Sequence, residues 1–153
     1  MKKIKFSFIF LILCLYITGC KENSLTNASQ NETIVLQLDG IIENVGGDCS
    51  AVQIRTRSLG VLDFTNSSKT KFKFTGMSDA DLSSISIFYV RNDVPVNLVN
   101  LTDRDMINNT NTVEINSPRV NAEFFTRVTL KSSVCTGQIF FLTLRDLKIY
   151  SIQ

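Results

Sequence analysis

Histidine is missing from all 153 residues. Its absence removes Ser-His-Asp and Cys-His nucleophile arrangements and the His-containing catalytic zinc sites. Carboxylate-pair chemistry stays open, but no spacing of Asp and Glu singles out a pair. Tryptophan is missing too, so a sugar-binding site would have to rely on other aromatic side chains. Tyr89 and Tyr150 are the only tyrosines beyond the first twenty residues, and most phenylalanines fall where a strand pattern wants core. Long apolar runs are also lacking. The longest, Phe6 to Ile17, has 12 residues and as a helix rises about 18 Å, against a hydrocarbon core of roughly 30 Å. A stable membrane span is not expected from it.

What precedes and follows that run is informative. Met1-Lys2-Lys3-Ile4-Lys5 is a positive leader, Phe6 to Ile17 an apolar centre, and Thr18-Gly19 are small residues before Cys20. This order reads as a secretory signal. The stretch Ile17-Thr18-Gly19-Cys20, an aliphatic residue, two small ones and a cysteine, resembles the lipobox of bacterial lipoprotein precursors. The resemblance implies that residues 1–19 are removed and that the Cys20 thiol carries a diacylglyceryl group, with the new amino terminus acylated as well. Two or three acyl chains, at about 0.8 kcal/mol per buried methylene, exceed the marginal hold of one chain. The expected location is the cell envelope, lipid-anchored in a bacterial outer membrane, with the periplasmic face and the cell surface both open. The alternatives are an ordinary secretory signal with a chance Cys and an uncleaved anchor. The pair Lys21-Glu22 partly resembles the charged export signal of surface lipoproteins in Bacteroidota.

Removing Lys2, Lys3 and Lys5 with the leader leaves 13 basic against 14 acidic side chains. There is no basic excess to suggest nucleic acid. Arg55, Arg57, Lys69, Lys71 and Lys73 read as the solvated face of strands. Cys14 leaves with the leader and Cys20 carries lipid, so Cys49 and Cys135 remain. Two cysteines in an exported domain suggest one disulfide, with two buried free thiols as the alternative.

Residues 20–32 are polar without an apolar period and read as a flexible tether behind the lipidated cysteine, about 20 Å in typical reach. Residues 33–153 then form a single domain whose dominant period is two. Ile34, Leu36 and Leu38 alternate with polar neighbours, as do Val52 and Ile54, Phe72 and Phe74, Ser84 to Val90, and Ala122 to Lys131. Gln138 to Leu144 is apolar on both faces, as a central strand requires. Leu147, Ile149 and Ser151 mark a last strand. Turn signals fall at Glu43 to Asp48, Thr65 to Ser68, Arg91 to Asp93 and Asn116 to Pro118. One helical turn is expected near Thr102 to Ile107, capped by Thr102.

Eight or nine short strands so punctuated predict an all-β fold, an antiparallel β-sandwich of Ig-like or jelly-roll type, with a closed β-barrel as the alternative. The immunoglobulin Cys-Trp-Cys pattern is not present. Phe125 to Leu130 with Leu144 to Tyr150 faintly resembles the final strands of discoidin-type galactose-binding-like jelly rolls; this covers under thirty residues and carries over no ligand residues. Asp79-Ala80-Asp81 and Asp103-Arg104-Asp105 space carboxylates as calcium loops do, but lack the following Gly and distal Glu, so no metal or other cofactor is assigned. The expected function is binding or structural, with no catalytic residue, towards another envelope protein or a glycan. The alternatives are a histidine-free hydrolase using carboxylates and a small-ligand carrier built as a hollow barrel.

Overall fold

Period-two alternation does extend through most of the chain, and the strands it forms pair at long range. The structure is a computed structural model that describes residues 31–153. The expected leader, Cys20 and residues 21–30 of the expected tether lie outside the described residues. The strands are β1 (Glu32–Gly47), β2 (Gln53–Asp63), β3 (Lys69–Ser78), β4 (Ser84–Arg91), β5 (Val94–Leu101), β6 (Thr110–Asn116), β7 (Asn121–Leu130) and β8 (Phe140–Ile152), with one helical turn, α1 (Arg104–Ile107), between β5 and β6.

Two four-stranded sheets form, in the orders β1-β8-β3-β6 and β2-β7-β4-β5. Every pairing is antiparallel. The outermost strand of the sequence pairs with the last, the second with the seventh, the third with the sixth and the fourth with the fifth. The chain is therefore one long hairpin, rolled so that β3 also meets β8 and β4 also meets β7. This is the order of an eight-stranded jelly roll, and the sheets do not close into a barrel.

The hinge of that hairpin is legible. Arg91 pairs with Val94, and Asn92 and Asp93 between them have φ of 51° and 62°. Two left-handed residues in a two-residue loop form a type I′ turn, whose twist matches that of the flanking strands.

Between the sheets lies one apolar core. Phe64, Phe72, Phe74, Phe124, Ile85 and Leu144 are fully buried, and the Phe64 and Phe124 rings meet at 5.2 Å between centroids. Burying such side chains contributes roughly 1.5–3 kcal/mol each. The turn α1 closes one edge, placing Ile107 at full burial over Gly76, where a β-carbon would lie 2.6 Å from the Ile107 carbonyl oxygen. Its N-cap is Asp103, whose carboxylate accepts from the Asp105 and Met106 N–H groups, not the expected Thr102; a carboxylate one residue later satisfies the same orphan donors.

Three further expectations are corrected. The Glu43 to Asp48 turn signal lies almost wholly within β1, which pairs with β8 through Gly46 and Gly47. The two glycines serve close approach: β-carbons there would stand 3.0 Å from the Phe141 ring and 2.7 Å from the Gln53 side chain. The two last strands expected around Leu144 are one continuous strand, bent at Asp146 with φ 55°. Finally, Val52 and Ile54 are exposed. Opposite the buried Val128 and Thr126 stand Arg55 and Arg57, so the inner side of the first half of β2 is the polar one. This half of β2 is a sheet edge that overhangs the core, and Arg57 donates across to the Ile42 carbonyl at 2.8 Å. Inward-pointing charge on an edge strand discourages pairing with another chain.

Cys49 and Cys135 are bonded, with S–S 2.00 Å and Cα–Cα 5.3 Å. One lies in the link from β1 to β2 and the other in the link from β7 to β8. Since β1 pairs with β8 and β2 with β7, both links cross between the sheets side by side, and the disulfide joins the two crossings.

Candidate binding face

The disulfide end of the sheet β1-β8-β3-β6 carries an aromatic surface on its outer side. Registers set the arrangement: Gly46 is opposite Phe141, and Asn44 is opposite Thr143, which is in turn opposite Met77. Beyond the end of β3, Asp79 continues the ladder, its N–H donating to the Phe141 carbonyl at 3.3 Å and its carboxylate accepting from the Phe141 N–H at 2.6 Å. Two rows result, Gly46–Phe141–Asp79 and Asn44–Thr143–Met77. Because successive side chains alternate between faces, Leu142 between them is fully buried while Phe141 is 50% and Met77 63% exposed.

Phe141 is seated rather than loose. Its ring lies against Gly46, with the Ile139 side chain beside it. A glycine at that point leaves room for the ring to lie flat along the sheet. The shallow depression bounded by Asn44, Met77, Ser78, Asp79, Phe141 and Thr143 has a volume of about 380 Å³, within the range of small-ligand sites. Its polar rim holds one amide and one carboxylate. Thr143 Oγ1 donates to Asn44 Oδ1 at 3.2 Å, which leaves the Asn44 amide N–H groups to donate elsewhere. Asp79 Oδ1 is used by Phe141, leaving Oδ2 as an acceptor.

Elsewhere the carboxylates serve turns. Asp48 accepts from the Ser50 hydroxyl and N–H, Asp63 from those of Thr65, and Asp81 from those of Ser133 across the β7–β8 loop. These hydrogen bonds to the charged form hold all three carboxyls below their ordinary range, and the Gly40 N–H followed by Arg145 does the same for Asp146. A general acid at neutral pH needs the opposite displacement. Of the closely spaced carboxylates, Asp79 extends the strand ladder and Asp81 clamps the β7–β8 loop, while Asp103 and Asp105 both sit at the start of α1, where Asp103 caps the helix. Among the described residues no group of three or more His, Cys, Asp and Glu side chains converges on a common point.

Two other surfaces differ in kind. At the opposite end, Thr65, Asn66, Ser67, Ser68, Arg119 and Gln153 line an open polar depression of about 470 Å³, without an aromatic side chain. On the outer side of β4 and β7, Phe88 and Phe125 stack at 5.4 Å with the Arg127 guanidinium 4.8 Å from the Phe88 ring. Phe88 is only 3% exposed, so that stack is covered.

Of the residues expected to carry function, the disulfide pair Cys49 and Cys135 lies about the aromatic end of the fold, and Cys20 lies outside the described residues. Phe141 and Met77 were not singled out by sequence reasoning. The signal was present in combination: an apolar run without alternation, Gln138 to Leu144, and a glycine pair that could only face it across a strand once β1 was extended.

No family model matches the chain, and no curated protein matches it. Among solved structures, the chain is similar to the CBM36-1 domain of a multidomain xylanase from the hindgut metagenome of Trinervitermes trinervoides, at 15% identity, covering 78% of this chain and 96% of that one, with a TM-score of 0.35. It is also similar to a carbohydrate-binding module CBM36 in complex with calcium and xylotriose, at 13% identity, covering 79% of this chain and 99% of that one, with a TM-score of 0.33. The jelly-roll assignment of this chain rests on its own strand order.

Proposed function

We propose that this chain is an exported lipoprotein, anchored in the bacterial outer membrane through acylated Cys20, whose jelly-roll domain binds glycan without catalysis. The lipobox-like Ile17-Thr18-Gly19-Cys20 supports the anchor. The seated, half-exposed Phe141 ring supports the ligand class. A sugar ring presents an apolar C–H face and a polar hydroxyl edge, so it needs a flat aromatic surface bordered by a donor and an acceptor. Phe141 supplies the aromatic face, Met77 adds apolar surface beside it, and the Asn44 amide and Asp79 carboxylate supply the donor and the acceptor.

The test is a glycan array probed with the full chain in detergent. Binding to a defined set of glycans that is lost in Phe141→Ala and kept in Phe141→Tyr is the expected result. Binding that ignores Phe141, or the release of reducing ends from a bound glycan, would overturn this reading. Protease shaving of intact beside lysed cells decides the face: digestion in intact cells makes external glycans the ligands, and protection until lysis makes them periplasmic.

A further inference from the structure

Further along the same outer face, Lys73 of β3 is directly opposite Lys148 of β8. Side chains so paired have β-carbons about 4.5–5.5 Å apart, and like charges there repel. Their other cross-strand neighbours do not relieve it: Lys148 faces Gln37 of β1, and Lys73 faces Thr112 of β6. The surrounding basic groups differ, since Lys69 pairs with Glu114, Lys71 with Glu32 and Arg145 with Asp146. Asp146, the acid nearest Lys148 along the strand, feels the lysine's charge, but its oxygens accept hydrogen bonds from the Gly40 N–H and the Arg145 guanidinium and none from Lys148. Among the described residues Lys73 and Lys148 form no ion pair.

We propose that these two ammonium groups bind the carboxylates of an acidic polysaccharide, a polyuronate, whose neutral ring faces rest on Phe141. This rests on the glycan reading of the Phe141 surface and adds the substrate class. The two features share one face and lie about 20 Å apart along β8 at roughly 3.3 Å per residue. Thr75, Thr110, Thr143 and Gln37 offer hydroxyls and an amide along the way. A chain spanning several sugars covers that distance, and its charge complements a lysine pair that forms no ion pair among the described residues.

The experiment compares polygalacturonate and alginate with their methyl esters, which keep the sugar chain and remove its charge. Isothermal titration of the full chain in detergent is expected to show at least tenfold tighter binding to the acids, weakening as ionic strength rises. The double variant Lys73→Gln/Lys148→Gln should lose that difference while keeping ester binding, and Phe141→Ala should weaken both. Folding of the double variant is checked by its urea midpoint, expected to be unchanged or raised. Equal affinity for acids and esters overturns the polyuronate inference and leaves the glycan reading standing. No affinity for any of the four polymers overturns the inference, while the glycan array still judges the broader reading. Equally tight binding of dextran sulfate, or of phosphatidylglycerol vesicles, through the same lysines also overturns it, identifying a general anion-facing or membrane-facing surface.

Discussion

The backbone N–H of Gly40 donates to Asp146 Oδ1 across 2.9 Å, joining residues 106 apart in sequence. Both have left-handed backbones, with φ of 76° and 55°, and both fall where the β1–β8 register shifts between Leu38 and Ile41. A bulge on one strand and a kink on the other are thus locked together, which bends the longest ladder of the fold around the core.

Gly40→Ala therefore tests the backbone alone, since nothing stands within 4 Å of the added β-carbon. The expected loss is about 1 kcal/mol from the left-handed conformation, read by urea denaturation. Asp146 adds a pH signature. Its carboxyl is held below the ordinary value of 3.8, first by the Gly40 N–H and then by Arg145. A depressed folded-state pKa gives stability that is present above the unfolded value and is lost as pH falls below it, through the folded value. Asp146→Asn should therefore show a smaller loss of stability between pH 4 and pH 2 than the parent. An unchanged acid profile would show that the contact carries no such linkage.

The Cys49–Cys135 bridge closes a separation of 86 residues. On chain entropy, its removal should cost about 4 to 5 kcal/mol. Cys49→Ser/Cys135→Ser and the reduced parent should share a lowered urea midpoint, and non-reducing peptide mapping should recover the two cysteine peptides linked. A midpoint indifferent to reductant would remove the bridge from the stability of the fold.

Thr126 is fully buried on the inner face of β7, and its hydroxyl has no hydrogen-bond partner among the described residues. Valine keeps the shape and removes the desolvated hydroxyl, so Thr126→Val should stabilise by about 1 kcal/mol. A lower thermal midpoint in the variant would count against an unpaired hydroxyl.

Lys73→Glu converts a like-charge cross-strand pair into an attractive one. The domain should gain roughly 0.2–1 kcal/mol, and the gain should shrink in high salt. A salt-independent loss would mean that the two side chains do not face each other.

For the proposed anchor, Cys20→Ser should abolish incorporation of labelled palmitate in cells and release the protein from the membrane fraction. Continued labelling would assign the lipid to another position, or none.

Much of this protein follows from local chemistry. Alternation in Phe72 to Phe74 and Ser84 to Val90 requires half-buried strands, because a period of two matches the pleat and no helix. Asn92-Asp93 specifies a tight hairpin, and the pair Cys49 and Cys135 makes one bridge the leading reading, with two free thiols as the alternative. Other features depended on contacts distant in sequence. Gly46 and Gly47 look like a turn in isolation and are strand residues because Phe141 and Gln53 press against them. Ile54 reads as core and faces solvent, because β2 lies at a sheet edge where the inward side overhangs the core. Phe141 reads as core as well and becomes a surface ring, because its parity with the buried Leu142 and Leu144 is decided by the β1–β8–β3 register. The sequence alone determined that strands form, roughly where they begin and end, and which cysteines could pair, since those depend on neighbouring residues. Only the tertiary structure decided which strands meet and which alternate side chains face outward, because one bulge or one edge reverses a face and neither is encoded within the strand it affects.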